Sequence, residues 1–347
     1  MVVEKIRIGI IGAGQNTRKT HIPKLQAIPG VEIVEVVNRS TSSSQKVAEE
    51  FGIRQIRSNW EEVASSDAVD AVVIGTWPYL HCEASCTALV AGKHVLCEAR
   101  MAMNADEAGR MLESSRSHPD LVTQLVPAPF TLRVDQTIRS CIADGQLGDV
   151  LHFQAEYQSA SLSSLGGTLH WRRNKKYSGE NAMVLGILYE SLRRWLPPAE
   201  RVSAIGYVFN NRAIDPDTGK TVAVEIPDYL SVQMRLNGGI YGSFLISETG
   251  LHTDSPTIKI FGTEGTLQIE FIPDGKLWHG SKTDEELKEL KIDPKETDRW
   301  RVEEEFINAI RGEETVRLTT FEAGVEYMRF TQAVMESYRA QGEPRKT

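Results

Sequence analysis

Short apolar runs alternate with longer amphipathic segments along the first third of the chain. Residues 6–11 (IRIGII) predict a buried strand, and the glycine-containing segment that follows it leads into a helix. The same succession continues as a strand in 31–40, a helix in 44–52, a strand in 69–76, a helix over 79–91, a strand over 94–97 and a helix over 104–116. Strands that alternate with helices indicate a parallel sheet covered by helices on both faces.

The pattern changes after residue 125. Alternating apolar and polar positions, typical of a sheet with one covered face, predict strands over 151–157, 202–209, 229–236, 240–247 and 257–261. The sequence GTEGTL at 262–267 predicts a tight turn between strands, and the charged segment 280–300 predicts a surface excursion. Residues 300–311 and 320–339 predict amphipathic helices. We therefore expect two domains, over 1–125 and 126–347.

Composition narrows the class of protein. The chain has 347 residues, 41% of them hydrophobic and 25% charged, and a net charge of −8, which argues against a nucleic-acid or anionic-membrane partner. No apolar run approaches the roughly 20 residues of a membrane helix, and from residues 1–14 we expect no secretory signal sequence. The four cysteines lack metal-ligand spacing, so we expect free thiols, no metal site and a cytoplasmic protein.

The first strand ends in a turn that suits a dinucleotide. Gly12 permits a tight turn, and Gly14 lets the backbone approach a pyrophosphate at the N-terminus of the next helix. Gln15 and Asn16 complete the turn, and Thr17 stands where the usual fingerprint has a third glycine. The alternative is a loop with a structural role only.

The residue that closes the second strand influences the choice of cofactor. An acidic residue there would bind the ribose 2′-hydroxyl of NAD(H), but this sequence has Asn38, Arg39 and Ser40. Asparagine does not repel a 2′-phosphate, and the planar guanidinium of Arg39 can pair with one. We expect NADP(H) to be favoured, with NAD(H) possible and a solvated Arg39 as the alternative.

Several stretches together resemble the glucose-fructose oxidoreductase, inositol dehydrogenase and MocA-like family, written Gfo/Idh/MocA. They are GIIGAG, VVNRS, the segment from Asp70 to Ala108, LGILYESLRRW and IFGTEGTLQIE. The resemblance implies an N-terminal Rossmann domain and an α+β domain with a large, mostly antiparallel sheet. In the family that sheet commonly makes a homodimer or homotetramer contact, and the C-terminal helices pack back toward the first domain.

This sequence departs from the family at two places. The family's Glu-Lys-Pro motif, whose lysine lies beside the nicotinamide and the substrate hydroxyl, is matched here by Glu98, Ala99 and Arg100. The Asp and His that sugar- and polyol-oxidising members carry on a second-domain helix are matched by Val184 and Leu188. The family's lysine and histidine chemistry should therefore not be transferred to this chain.

Other residues remain as candidates for the chemistry. His81 stands where the family often has a histidine near the cofactor, and it titrates near neutrality. Arg100 cannot act as a base, but it can clamp an anion or polarise a carbonyl. The catalytic candidates are Tyr79, His81, Arg100 and Tyr189. The candidates for substrate binding, beside a polar and aromatic segment that includes His170, are Arg100, Trp171, Arg172, Asn181 and Tyr189. The candidates for cofactor binding are Gly12, Gly14, Gln15, Asn16, Thr17, Asn38, Arg39, Ser40, Thr76, Trp77, Pro78, His81, Glu98 and Ala99.

Each candidate also has a structural interpretation: His81 as a packed residue, Arg100 as a partner of Glu98, Tyr189 as a buried tyrosine. Helical spacing places Asn181, Val184 and Leu188 on one face. The leading hypothesis is an NAD(P)-dependent oxidoreductase that transfers a hydride to or from a small sugar-like, polyol or carbonyl substrate with altered catalytic residues. The alternatives are an inactive nucleotide-binding sensor or scaffold, and an enzyme without net redox change that holds its cofactor tightly.

Overall fold

The structure is a computed structural model that describes residues 5–161, 167–253, 255–271, 275–294, 297 and 299–347. Contacts between residues divide the chain into two compact units. The first contains Met1–Pro127 and Arg301–Met328, and the second contains Ala128–Trp300 and Arg329–Thr347. The first unit therefore combines the N-terminal segment with a segment near the C-terminus.

A six-stranded parallel sheet forms the centre of the first unit, in the order β3-β2-β1-β4-β5-β6. Its strands are β1 Ile6–Ile11, β2 Val31–Val37, β3 Gln55–Ile56, β4 Ala71–Ile74, β5 His94–Cys97 and β6 Thr123–Leu125. The central strands β1 and β4 are almost wholly buried, which explains their continuous apolar sequences. The predicted Rossmann sheet is confirmed.

Helices connect these strands, and their ends follow the local sequence. Helix α2 begins after Ser40, whose hydroxyl accepts a hydrogen bond from the Ser43 N–H, and it ends at Gly52 with a left-handed backbone. Asn104 caps the N-terminus of α5 in the same way. The helices of this unit are α1 Ile22–Gln26, α2 Thr41–Phe51, α3 Trp60–Ala64, α4 Pro78–Val90, α5 Ala105–Ser117 and α9 Val302–Ile310.

The predicted elements of the first unit are confirmed, with shifts at their ends. Helix α2 starts before the predicted residue 44 because the serine-rich segment forms its first turn. The pattern did not predict β3, α3 and β6, which have two, five and three residues and are too short to show a period.

The second unit is built on a nine-stranded sheet in the order β16-β15-β14-β13-β7-β12-β11-β8-β17. All neighbouring strands are antiparallel except β7 and β12. The strands are β7 Val150–Gln158, β8 Ala199–Tyr207, β11 Tyr229–Leu236, β12 Tyr241–Ser247, β13 Thr257–Gly262, β14 Gly265–Glu270, β15 Lys276–Ser281, β16 Lys288–Glu289 and β17 Arg345–Lys346, with a separate hairpin of β9 Arg212–Ile214 and β10 Thr221–Ala223.

One face of this sheet is buried by apolar side chains, and aromatic rings pack against it. Phe153 on β7 and Phe244 on β12 lie edge to face, and Phe330 packs on Phe244. The remaining helices are α6 Asp135–Ala143, α7 Lys175–Ser178, α8 Leu185–Leu192 and α10 Phe321–Arg339, the last of which has residues in both units. The predicted large antiparallel sheet and the turn before β14 are confirmed, whereas the segment 280–300 includes the end of β15 and the short strand β16 at the sheet edge.

Candidate functional site

The turn after β1 has the geometry that the sequence predicted. Gly12 has φ +84°, and an added Cβ there would lie 2.5 Å from Thr76 Cγ2 and 2.8 Å from the Thr76 nitrogen. An added Cβ on Gly14 would meet only the Gly75 carbonyl oxygen, at 3.5 Å, so the protein itself leaves space at Gly14. Gly12 therefore serves the turn, and Gly14 leaves its backbone open to a ligand.

Thr17 replaces the third glycine of the fingerprint without opening the packing. Its side chain is buried, and its hydroxyl donates a hydrogen bond to the Gly12 carbonyl at 3.3 Å. The space for Thr17 comes from Gly75, because a Cβ on Gly75 would overlap Thr17 Oγ1 and the Gly12 carbonyl oxygen. The close approach of helix and sheet is thus provided by a glycine on the neighbouring strand end.

The end of β2 is tied to this turn. The Asn38 side-chain oxygen accepts a hydrogen bond from the Ala13 N–H at 2.6 Å, and its amide group donates to Ser43 Oγ at 2.9 Å. Arg39, next along the chain, is exposed and lines a cavity, while Ser40 caps α2. Asn38 therefore shapes the turn, and Arg39 supplies a cation at its rim.

A cavity of about 490 Å³ lies at the carboxyl ends of the parallel strands. It brings together several of the predicted cofactor residues with Tyr79, whose side chain is 41% exposed. The lining residues are Ile11, Gly12, Ala13, Gly14, Val37, Asn38, Arg39, Ser43, Ser58, Asn59, Trp60, Gly75, Thr76, Trp77, Tyr79 and Leu80. This set contains one cation, Arg39, and no carboxylate. The sequence did not single out Ser43, Ser58, Asn59 and Trp60, because none of them belongs to a motif: Ser43 lies in the first turn of α2, and the other three lie at or just before the start of the short helix α3.

His81 lies beneath this cavity and is completely buried on α4. Its Nδ1 is 2.9 Å from the Arg100 carbonyl oxygen, and its Nε2 is 3.0 Å from the Thr76 carbonyl oxygen. Burial lowers the pKa of the ring, and these two hydrogen bonds offset only part of that effect. Proton transfer by His81 stays a prediction. The geometry favours a structural role, in which the ring contacts both the loop after β4 and the loop after β5.

The loop after β5 carries Glu98, Ala99 and Arg100. Glu98 Oε1 accepts a hydrogen bond from the side-chain amide of Asn16 at 2.5 Å, and Oε2 accepts one from the Ala99 N–H at 3.0 Å. Arg100 is buried, and the peptide bond between Ala99 and Arg100 is cis. Glu98 therefore contacts the glycine-containing turn through Asn16, and these contacts include no pairing with Arg100.

His21 was not among the predicted site residues, yet it joins this loop. The His21 ring is buried, with Nε2 3.0 Å from Glu98 Oε1 and Nδ1 2.6 Å from Glu303 Oε1. A histidine in a polar segment before a proline carried no motif, and Glu303 is far away in sequence. Only the folded chain brings the three side chains together.

In the second unit, the prediction that Asn181 shares one helical face with Val184 and Leu188 is wrong. Helix α8 begins at Leu185, and Met183 has φ +43°, so Asn181 and Val184 precede the helix instead of sharing its face with Leu188. The Asn181 amide donates a hydrogen bond to the Ser178 carbonyl at 2.7 Å. Asn181 is therefore engaged in the turn that leads into α8.

Tyr189 lies in the core of the second unit. Its ring stacks on Phe330 with centroids 3.7 Å apart, and its hydroxyl accepts a hydrogen bond from the Ala199 N–H at 2.9 Å. The side chain is 1% exposed. This environment favours the structural interpretation, and proton donation by Tyr189 stays a prediction.

A second cavity, of about 450 Å³, lies in this unit and has a polar lining. The predicted substrate residue Arg172 lines it, and its guanidinium carbon also lies 4.4 Å from the centre of the Trp171 ring. The lining residues are Ser161, Gly167, Thr168, His170, Arg172, Arg173, Asn210, Ala213 and Glu248. Buried Arg173 donates to Asp228 Oδ2 at 3.2 Å and to the Asn210 carbonyl at 2.7 Å, so these two contacts hold its guanidinium at the wall of the cavity.

In the described ranges, no three His, Cys, Asp or Glu side chains are arranged to hold a metal ion, and the four cysteines are free thiols. None of the helices in these ranges has both the length and the apolar character that crossing a membrane requires.

A glycine turn, an open cavity at the strand ends and a separate β-rich unit define the class of two-unit dinucleotide-binding oxidoreductases. Residues 6–124 match the model of the oxidoreductase family with an NAD-binding Rossmann fold, and residues 136–268 match the Gfo/Idh/MocA C-terminal domain. The chain therefore belongs to the Gfo/Idh/MocA family, which confirms the resemblance seen in the sequence, and it is an NAD(P)-dependent oxidoreductase.

Similar proteins support this assignment. Trans-1,2-dihydrobenzene-1,2-diol dehydrogenase of Mus musculus is 28% identical over 279 residues, which cover 79% of this chain and 75% of the mouse protein. The enzyme of that name from Sus scrofa is 28% identical over 268 residues, covering 76% and 74%. Levoglucosan dehydrogenase in complex with NADH and L-sorbose superposes with TM-score 0.85 at 19% identity, over 99% of this chain and 98% of the other. An oxidoreductase domain protein from Kribbella flavida gives TM-score 0.86 at 19% identity, over 99% of both chains.

Proposed function

We propose that the protein is an NADP(H)-dependent dehydrogenase or reductase of a small sugar-like, polyol or carbonyl substrate, with altered catalytic residues. The observation that carries the cofactor preference is the lining of the first cavity, in which Arg39 is the single cation and no carboxylate is present. A 2′-phosphate is recognised by a guanidinium and repelled by an acidic residue.

Asn38 supports the same preference. Its side-chain oxygen accepts from the Ala13 N–H and its amide donates to Ser43, so both ends of the amide are engaged inside the turn. A ribose 2′-hydroxyl would lack the acidic acceptor that it has in NAD(H)-specific sites. NAD(H) binding remains possible, through the same turn and with lower affinity.

Titration of NADP⁺ and NAD⁺ against the wild-type protein and the Arg39→Ala variant tests this preference. A charge-assisted hydrogen bond contributes about 1.5–3 kcal/mol, so loss of Arg39 should weaken NADP⁺ binding by roughly 10- to 150-fold and leave NAD⁺ binding nearly unchanged. Arg116→Ala on α5, a surface arginine with a side chain 66% exposed, is the matched control. Equal losses for both nucleotides, or none, would contradict the NADP(H) preference.

The proposed substrate class has support from the names of similar proteins. They are a dihydrodiol dehydrogenase and a levoglucosan dehydrogenase that was solved with L-sorbose, so compounds with adjacent hydroxyl or carbonyl groups form the first test panel. Among the catalytic candidates, Tyr79 has the most support, because it is exposed at the cavity whereas His81, Arg100 and Tyr189 are buried. Trp171 and Arg172 are proposed to hold the substrate.

A second candidate function is a nucleotide-binding sensor or scaffold without hydride transfer. Ala99, Val184 and Leu188 favour it, because none of the three can move a proton. Spectroscopic turnover of NADPH with any carbonyl compound of the panel would exclude it, and Tyr79→Phe would then show whether the phenol takes part. An enzyme that holds its cofactor tightly would instead purify with nucleotide bound and show no net reduction.

We also propose a homodimer or homotetramer formed through the nine-stranded sheet, in the cytoplasm. Ile205, Tyr207 and Tyr241 point to one face by strand register, and they are 59%, 59% and 60% exposed. Light scattering after gel filtration should give a multiple of the mass of one chain. Replacing Tyr241 by Glu should shift it toward the mass of one chain, and a wild-type monomer would contradict this assembly.

A further inference from the structure

A cluster of titratable side chains outside the lining of the first cavity surrounds the buried ring of His21. This residue ends a π-helical turn, Thr17–His21, that directly follows the glycine-containing turn. Its two ring nitrogens lie within hydrogen-bond distance of two different carboxylates, Glu303 at 2.6 Å and Glu98 at 3.0 Å. The Asn16 amide nitrogen, which donates to the same Glu98 oxygen, lies 3.2 Å from Nε2. An imidazole between two carboxylate acceptors needs a proton on both nitrogens to satisfy them.

The surrounding charges favour that imidazolium. Burial opposes the charge, but hydrogen bonds to Glu303 and Glu98 outweigh it and raise the pKa of His21 to about 9. The same hydrogen bond keeps the pKa of Glu98 below its ordinary value despite its burial. The charged groups that face the ring are Glu98 from the loop after β5 and Glu303 from α9, and Lys24 of α1 lies 4.0 Å from Glu303 Oε2.

Glu98 connects the cluster to the cofactor turn. Its Oε1 accepts from both His21 and the Asn16 amide, and its Oε2 accepts from the Ala99 N–H. The Glu98 side chain keeps 15% of its surface exposed, whereas His21 behind it has none. A movement of Glu98 would therefore move both the turn that follows Gly14 and the loop that replaces the family's Glu-Lys-Pro motif.

We propose that His21 is a positioning residue for the dinucleotide site, which holds Glu98 against Asn16 through its contacts with Glu98 and Glu303. The proposal rests on the proposed nicotinamide-nucleotide binding of the first cavity. When His21 loses its charge, the Glu98 and Glu303 carboxylates face each other without the imidazolium between them, so one of them must take up a proton or turn toward water. The Asn16 contact then weakens, and nucleotide affinity falls.

The dependence on pH separates this role from a purely structural one. Because the pKa of His21 is raised, its charge is present at neutral pH and is lost as the pH rises through about 9. Titration of the wild-type protein with NADP⁺ should give an affinity that is constant from pH 6.5 to 8 and decreases above that range. In Glu303→Gln, which removes one of the two anions, the decrease should begin at lower pH.

The His21→Gln variant keeps a polar side chain but cannot carry the charge. At pH 7 it should bind NADP⁺ about ten-fold more weakly or worse, without the wild-type pH dependence. His118→Gln at the C-terminus of α5, a half-buried histidine of the same unit, is the matched control and should behave as wild type. If His21→Gln does not fold, the pH profile of Glu303→Gln decides.

Hydrogen–deuterium exchange supplies a readout without nucleotide. Peptides that cover residues 12–21 should exchange about ten-fold faster in His21→Gln than in wild type at pH 7, and His118→Gln should show no change. If the wild-type protein binds neither NADP⁺ nor NAD⁺, the proposed function fails, and exchange alone decides the role of His21. Unchanged exchange, or coincident pH profiles of wild type and Glu303→Gln, would overturn the inference.

Discussion

Replacing Gly75 by Ala tests how the first unit compensates for its missing third glycine. Gly75 follows β4, and its N–H donates to the Ile11 carbonyl at 2.8 Å. A methyl group there would overlap Thr17 Oγ1 and the Gly12 carbonyl oxygen. The hydroxyl can rotate away, but the carbonyl belongs to the turn itself, so Gly75→Ala should displace the turn.

The loss of folding free energy in Gly75→Ala can be bounded. Overpacking a well-packed site costs about 1–3 kcal/mol, and the backbone obstacle places Gly75→Ala near the upper limit, about 3 kcal/mol. For a unit of this size that corresponds to a fall in Tm of about 6–12 °C, measured by calorimetry, together with a loss of nucleotide affinity in titration.

Two matched variants make the test specific. Gly109→Ala, inside α5 with no atom near its added Cβ, should instead stabilise the protein by about 0.5–1 kcal/mol. Thr17→Ala combined with Gly75→Ala should recover only part of the loss, because the Gly12 carbonyl remains in place. Wild-type Tm and affinity in Gly75→Ala would refute the reasoning, and full recovery in the double variant would show that the hydroxyl alone was the obstacle.

Three further predictions concern the buried ion pairs of Arg194, the thiol of Cys86 and the ring of His21. Arg194→Met leaves the buried carboxylates of Glu190 and Asp135 without their cation. The free energy of unfolding, measured by urea denaturation, should therefore fall by about 3–5 kcal/mol, and a loss below about 1 kcal/mol would contradict this expectation. A hydrogen bond with the thiol of Cys82, one turn earlier on α4, lowers the pKa of Cys86 to about 7. Cys86 should therefore be the first cysteine to be alkylated at neutral pH, as measured by mass spectrometry, and faster labelling of another cysteine would contradict that order. The raised pKa of His21 stabilises the fold fully below about pH 6.5 and progressively less up to about 9, so wild-type Tm should fall over that interval more than the Tm of His21→Gln.

The local pattern was sufficient for most of the fold. The strands β1 and β11 have the predicted limits because their apolar or alternating runs leave few other ways to bury them. The first turn was also predictable, because a glycine directly after the first strand suits the left-handed backbone conformation that Gly12 adopts. The short elements β3 and α3 were not predicted because, unlike the similarly short strands β4 and β5, they contain no continuous apolar run and are too short to show a period.

For the candidate site as well, some residues could be predicted from the sequence and others only from the structure. Gly12 and Gly14 lie in one continuous turn directly after β1, so the sequence alone predicted them as candidates for dinucleotide binding, and the structure places both at the cavity. The roles of His81 and His21 depend on which carbonyls and carboxylates surround them. Sequence by itself therefore determined the succession of strands and helices in the first unit and the glycine-containing turn after β1. Tertiary structure alone decided which side chains are buried, charged and joined across long separations, because burial and hydrogen bonding depend on contacts between segments that the chain does not place side by side.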